Sequence, residues 1–145
     1  MLNGRFLGID FGTKRIGLAI SDENHTLAFP KGIILNDKNS FSRILEVIKE
    51  ENIVEIVVGE STTFSGDTNP VDEQIKAFIL ELEERFGLPV HKQKEFLTSV
   101  EARRYKDIDK NSKRSEKPTS NKVDAGAAAL ILQRYLDLRS RQEER

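Results

Sequence analysis

The sequence predicts one α/β domain in which a mixed five-stranded sheet is flanked by helices. Two short apolar runs near the N-terminus, 5–10 and 15–21, are separated by a turn that contains glycine, a pattern typical of a β-hairpin. The β-branched run 53–58 is typical of a central strand that is covered on both faces. Segments with apolar residues at helical spacing alternate with the later strand patterns, and 145 residues suffice for one domain with its own core.

The first half of the chain is predicted to continue as a three-stranded meander followed by a helix. Residues 27–35 form the third strand, and Pro30 makes it a bent or edge strand because proline cannot donate to the ladder. The pair Asn36-Asp37 then offers turn and cap chemistry before a helix over 39–52, whose apolar residues recur at helical spacing.

The middle of the chain is predicted to hold a strand, a loop, a helix and a further strand. The central strand is expected to stop at Gly59-Glu60, where a polar loop begins. Pro70 suits the first position of the next helix, and Gly87 suits its C-terminus. A fifth strand is expected over 88–94.

The C-terminal part of the chain is predicted to be helical with one polar interruption. Thr98 is placed to cap a helix over 99–106. Residues 107–121 lack apolar periodicity and are expected to form a mobile basic loop. The last helix is expected to begin near Asn121 and to run to about residue 141. Its segment 126–129 has little side-chain bulk, so that the helix can pack closely on the sheet.

Composition limits the classes of function that are compatible with the chain. Hydrophobic residues make up 37% and charged residues 32%, and no apolar run approaches the roughly 20 residues of a membrane span. The N-terminus lacks the pattern of a signal peptide, and we therefore expect a cytoplasmic protein with no membrane partner. The absence of cysteine excludes disulfides, cysteine-ligated zinc and thiol catalysis. The net charge of −1 excludes a uniformly basic nucleic-acid binder, although residues 103–122 form a locally positive segment.

The most informative side chain is Asp10, which stands at the tip of the first buried strand. A buried strand holds its last residue rigidly, and Gly12 and Gly17 allow a ligand or backbone to approach closely. The position therefore suits a metal ion or a phosphate. The alternative is an ordinary hairpin, because aspartate before glycine is common in turns.

Three further acids stand at junctions of the predicted layout: Glu60 after the central strand, Glu95 after the fifth strand and Asp124 in the first turn of the last helix. Ligand sites of open α/β sheets lie at the carboxyl ends of the strands, where these acids would meet Asp10. Clustered carboxylates favour Mg²⁺ or Mn²⁺ as a bound cofactor. In the alternative interpretation Asp124 complements the helix dipole, and Glu60 and Glu95 are solvated loop acids.

Four segments of the chain, taken in sequence order, resemble motifs of the YqgF/RuvX family. Members of this family have a ribonuclease-H-like fold and are named as pre-16S rRNA nucleases and as Holliday junction resolvases. The opening segment 8–19 (GIDFGTKRIGLA) is similar to the family's first motif. Residues 57–59, 95–102 (EFLTSVEA) and 123–133 (VDAGAAALILQ) are similar to its later motifs. The resemblance covers nearly the whole chain.

The resemblance implies that Asp10, Glu95 and Asp124 are the metal-binding catalytic acids. Two departures stand beside this assignment. Glu60 replaces the leucine that usually follows the central glycine, and Lys94 and Phe96 replace an aspartate and an arginine that flank the family's glutamate. We therefore include the hypothesis that Glu60 joins or substitutes for Glu95 as a metal ligand.

Basic side chains near these acids are predicted to bind nucleic acid. Lysine and arginine on such segments neutralise backbone phosphates and release counterions, which gives salt-dependent and sequence-tolerant binding. The alternative is a solvated linker. The predicted contacts are Lys14, Arg15, Lys110, Lys113, Arg114, Lys117 and Lys122.

The function implied by the resemblance is metal-dependent hydrolysis of phosphodiester bonds, with processing of the 5′ end of pre-16S ribosomal RNA as the favoured task. Resolution of Holliday junctions in DNA is one alternative, and a non-catalytic nucleic-acid or ribosome-associated module is another. A junction resolvase normally acts as a symmetric dimer, whereas RNA-end processing needs no dimer, so both a monomer and a homodimer are compatible with the sequence. The Asp-x-Gly-Thr segment 10–13 also resembles the phosphate loop of sugar kinases and actin, but those proteins use two such domains.

Overall fold

The computed structural model describes residues 4–62, 70–96 and 118–143. Five strands form one sheet: β1 (Arg5–Phe11), β2 (Arg15–Ser21), β3 (Ala28–Leu35), β4 (Ile53–Thr62) and β5 (Val90–Phe96). The strand order is β3-β2-β1-β4-β5, with β1, β2 and β3 antiparallel and β4 and β5 parallel to β1. The predicted mixed five-stranded sheet and its N-terminal meander are confirmed, and β1 is the central strand.

Three helices lie within the described part of the chain: α1 (Ser40–Glu50), α2 (Pro70–Phe86) and α3 (Pro118–Glu143). Proline stands at the first position of α2, where its missing N–H costs no hydrogen bond. Gly87 follows with a φ of 64°, a left-handed conformation that glycine adopts without a steric penalty. The start and the end predicted for this helix are therefore confirmed.

Several predicted element bounds are wrong. Helix α1 spans Ser40–Glu50 and not 39–52. Strand β4 does not stop at Gly59-Glu60 but continues to Thr62, because β5 runs beside it and supplies backbone partners for these residues. The fifth strand occupies Val90–Phe96 instead of 88–94. Helix α3 begins at Pro118, so that residues 118–121 belong to this helix and not to the predicted loop. The predicted helix over 99–106 and the rest of the basic loop lie outside the described residues.

Two hydrophobic cores sandwich the sheet. One lies between the sheet and the helices α1 and α2, and Ile9, Ile44 and Leu82 are fully buried in it. The other lies between the opposite face of the sheet and α3, where Leu132 is fully buried. Alternate residues of β1 serve the two cores, as the two-residue period of a strand requires, so that Phe6 faces α3. No helix within the described residues is both long and apolar enough to cross a membrane.

Close contact between α3 and the sheet depends on glycine. A Cβ atom on Gly8 would lie 2.7 Å from the Cβ of Leu132 and 3.0 Å from the carbonyl oxygen of Ala128. Ala128 is itself fully buried. The low bulk predicted for residues 126–129 therefore brings the helix onto the sheet through Ala128, whereas Gly126 has open space around it.

Candidate active site

Asp10 lies in the middle of the sheet, one residue before the carboxyl end of β1. Its partners across the sheet are Gly17 on β2 and Gly59 on β4, and Gly59 in turn pairs with Gln93 on β5. We call these four paired residues the Asp10 row. Asp10 is half-buried, and both of its neighbours in the row lack a side chain.

The Asp10 row faces helix α3. A Cβ atom on Gly59 would lie 2.2 Å from the Cδ1 atom of Ile131, so this side of Gly59 is in contact with α3. Neighbouring residues of one row project to the same face of a sheet, and Gly8, two residues before Asp10, also faces α3. Asp10 therefore projects toward the helix that contains Asp124, beside the apolar side chain of Ile131.

Asp124 is the seventh residue of α3, not a member of its first turn as predicted, because the helix begins at Pro118. The field of a helix dipole acts mainly within the terminal turn, so complementing the dipole does not explain an acid at this position. Asp124 precedes Ala128 by four residues and Ile131 by seven, and both of these are buried against the sheet. The position of Asp124 along the helix is thus in the same helical repeat as these two residues.

Glu60 and Glu95 lie within strands, not after them, because β4 and β5 extend further than predicted. Glu60 pairs with Lys94, one row beyond the Asp10 row, and Glu95 pairs with Ser61, two rows beyond it. The carboxyl ends of β1, β4 and β5 thus bring the three strand acids to the same edge of the sheet. The side chains of Glu60, Glu95 and Asp124 lie outside the described part of the structure.

Two of the predicted nucleic-acid contacts lie at the turn between β1 and β2, Lys14 within the turn and Arg15 at the first position of β2. Lys14 and Arg15 are exposed, and Arg15 lies only two residues from Gly17, the partner of Asp10 in β2. Lys122 belongs to α3, two residues before Asp124. The remaining predicted basic contacts, Lys110, Lys113, Arg114 and Lys117, lie outside the described residues.

One residue that supports this turn was not assigned a site role from the sequence. The side-chain amide of Asn36 donates a hydrogen bond of 2.8 Å to the carbonyl oxygen of Gly12, and its backbone N–H donates one of 2.9 Å to that of Lys14. Asn36 was predicted only as a turn or cap residue. The signal in the sequence that could have revealed this contact is the position of Asn36 directly after β3, opposite the start of β2.

The described residues contain no group of three or more histidine, aspartate or glutamate side chains that could hold a metal ion. This agrees with the location of three of the four predicted ligands, whose side chains lie outside the described part. The charged cluster at the other end of the sheet is separate from the candidate site. There His91 lies 3.8 Å from the Glu55 carboxylate and stacks on Tyr135, and burial together with the charge of Glu55 raises the pKa of Tyr135.

Sequence comparison places the chain among nucleases. A family model described as RuvX, Holliday junction resolvase, matches residues 4–138. A protein of Koribacter versatilis named "Putative pre-16S rRNA nuclease" is 39% identical over 145 residues, an alignment that covers 99% of this chain and 93% of the relative. A protein of the same name from Maridesulfovibrio salexigens is 35% identical and covers 91% and 97% of the two chains.

Comparison of folds identifies resolvases of the ribonuclease-H-like class. The structure of Thermus thermophilus RuvC aligns with a TM-score of 0.55 at 17% identity and covers 94% of this chain and 96% of that one. The yeast mitochondrial Holliday junction resolvase Ydc2 aligns with a TM-score of 0.54 at 10% identity and covers 98% and 81%. At these identities the likeness concerns the fold, and it confirms the predicted ribonuclease-H-like architecture.

Proposed function

This chain belongs to the RuvX family, and on that premise we propose that it is a nuclease that hydrolyses phosphodiester bonds in structured RNA, with the 5′ end of pre-16S ribosomal RNA as its substrate. The names of the two relatives described above support the RNA substrate. The observation that supports hydrolysis most directly is the position of Asp10, at the carboxyl end of the central strand and facing the helix that contains Asp124.

The donor chemistry of the site fits Mg²⁺ or Mn²⁺. Asp10, Glu95 and Asp124 offer only carboxylate oxygens, which are the hard ligands that these ions prefer. When bound, such ions activate water and stabilise the leaving oxygen of a phosphodiester. Ile131 supports this role because it places an apolar side chain beside the Asp10 row, and a drier environment strengthens the attraction between a carboxylate and a cation.

The exposed cations of the β1–β2 turn supply the contact to the substrate backbone. Lys14 and Arg15 lie at the same edge of the sheet as Asp10, so a phosphate held by them is close to the acids. Contacts of this type position a nucleic acid without reading its sequence. Their contribution is salt-dependent, because each neutralised phosphate releases counterions.

The register of the sheet also indicates which of the two glutamates is the better candidate partner of Asp10. Because successive residues of a strand alternate between the faces of a sheet, an even offset from the Asp10 row keeps a residue on the face of Asp10 and an odd offset does not. Glu95 is offset by two rows and Glu60 by one. This supports Glu95 as the partner of Asp10, and we expect E95Q to reduce cleavage much more than E60Q.

A second candidate function is resolution of Holliday junctions, which the description of the family model favours. One of the aligned folds, T. thermophilus RuvC, has been solved in complex with a Holliday junction substrate. A third candidate is a module that binds nucleic acid without cutting it, because Lys94 and Phe96 replace the aspartate and the arginine that flank the glutamate in the family motif.

The test is a gel assay of the purified protein with Mg²⁺ or Mn²⁺ on two substrates, precursor 16S RNA and a four-way DNA junction. D10N is the inactive variant. D137N is its matched control, because it removes the same charge from an exposed position thirteen residues along α3 from Asp124. Cleavage of the RNA that requires metal, is retained in D137N and is lost in D10N is the expected result.

Each other outcome selects another candidate. Cleavage of the junction alone would replace RNA processing by resolution. Salt-sensitive binding that survives a chelator, with no cleavage beyond that of D10N, would favour the binding module and refute hydrolysis.

A further inference from the structure

We propose that Asn36 is a positioning residue for the substrate, because it holds the β1–β2 turn in the conformation that presents Lys14 and Arg15 to a nucleic-acid phosphate. This inference rests on the proposed function and adds to it a residue that contacts no substrate itself.

Asn36 bonds the turn at two carbonyl oxygens. The side-chain amide reaches Gly12, two residues after Asp10, and the backbone N–H reaches Lys14, two residues further along the turn. The side chain is half-buried, which protects its hydrogen bond from competition by water. The contact spans 24 residues of sequence, so it joins the turn to the end of the edge strand β3.

The connection between β3 and α1, which contains Asn36, is also held by hydrogen bonds at its α1 end. Directly after it, Asp37 accepts a backbone hydrogen bond from Asn39 on its side chain and one from Ser40 on its carbonyl oxygen. Ser40 begins helix α1 and is buried. The turn is therefore tied to the start of a packed helix, and Asn36 is the link between them.

The turn is tight enough to need such a link. A Cβ atom on Gly12 would lie 2.3 Å from the carbonyl oxygen of Arg15, so the two backbone segments are in close contact across the turn. The two cations it carries are long, exposed side chains with many rotamers, and they lose conformational entropy when they bind. A turn held in place removes the backbone part of that loss before the substrate arrives, which increases affinity.

The experiment measures binding and cleavage of precursor 16S RNA by N36A and N36D. Asn39 provides matched controls, because N39A and N39D make the same changes three residues away at an exposed position whose side chain forms no cap hydrogen bond. We expect N36A to weaken RNA binding about fivefold, to raise KM and to leave kcat near its original value. N36D keeps the size of the side chain but removes the donor to Gly12, and it should weaken binding more than N39D does.

A double-mutant cycle with K14A separates positioning from a general loss of stability. If Asn36 acts through the turn, K14A weakens binding about fivefold in the original protein but less than about twofold in the N36A background. N36A should also make the salt dependence of binding less steep, as K14A does. Backbone hydrogen exchange of residues 12–15 should be faster in N36A and unchanged in N39A.

Three results would overturn the proposal without touching the proposed function: N36A that binds like N39A, a K14A effect that is the same in both backgrounds, or a loss of kcat with unchanged KM. Absence of RNA and junction binding by the unmodified protein would instead overturn the proposed function, and the role of Asn36 with it.

Discussion

Replacement of Gly59 by alanine tests the packing that brings α3 to Asp10. The new Cβ atom would lie 2.2, 2.7 and 2.9 Å from the Cδ1, Cγ1 and Cγ2 atoms of Ile131, all far inside ordinary contact distance. Ile131 is almost fully buried, so it has little free space into which to move. Overpacking of this kind costs about 1–3 kcal/mol of the free energy of unfolding.

The three conflicting atoms belong to one side chain, which allows a compensating change. I131A removes all three atoms and by itself costs about 2–5 kcal/mol, because it leaves a cavity in a buried position. In the double variant G59A/I131A the methyl group introduced at position 59 enters that cavity. The cost of the pair is therefore expected to fall below the sum of the single costs by about 1–3 kcal/mol.

Urea unfolding followed by circular dichroism measures all four proteins, and an unchanged m-value verifies that the same transition is compared. G126A is the control: the same substitution within α3, at a glycine with open space around it. It should stabilise the protein by about 0.5–1 kcal/mol, since alanine has a higher helix propensity than glycine. A G59A variant within about 0.5 kcal/mol of the original protein, or strict additivity with I131A, would refute the packing argument.

Two further predictions concern the last residue of β2 and the residue that follows it. The buried hydroxyl of Ser21 accepts a hydrogen bond of 2.8 Å from the backbone N–H of Phe6. S21A should therefore lower the free energy of unfolding in urea by about 1–3 kcal/mol. S21T keeps the hydroxyl, so an equal loss in S21T would show that side-chain volume matters more than the hydrogen bond. Burial acts to raise the pKa of Asp22, but hydrogen bonds donated by Thr26 and Leu27 outweigh it and hold that pKa below its usual value of 3.8. The stabilisation relative to D22N is therefore fully present above pH 3.8 and is lost as the pH falls through the folded-state pKa; a difference in unfolding free energy that grows on acidification would contradict it.

Local sequence patterns were sufficient for most elements of the fold. The start of α2 at Pro70 and its end before Gly87 follow from the backbone preferences of those two residues alone. The start of α3 was missed although Pro118 carries the same signal, because the basic and polar residues around it lack the apolar period that identifies a helix. A polar segment is typical of a loop, but a helix terminus is also polar.

The candidate site was predictable in part. The position of Asp10 near the carboxyl end of β1 follows from the order of apolar runs, whereas the predicted place of Asp124 in the first turn of the last helix is wrong because the helix begins at Pro118. The offsets of Glu60 and Glu95 from the Asp10 row could not be predicted, because they depend on how β4 and β5 are aligned with β1. A shift of one residue in either strand exchanges the faces of the sheet, and no feature within the strands reveals that shift.

The sequence by itself determined the α/β class, the N-terminal meander, the helix stripes and the residue types available for chemistry, since these depend on short-range periodicity and backbone preference. Only the tertiary structure decided that Gly59 would share a row with Asp10, that Ile131 would cover it, and that Asn36 would hold the neighbouring turn. Each of these contacts joins residues that are far apart in the chain. They form only when the order and register of the strands are set by burial of both faces of the sheet, which is a property of the whole chain.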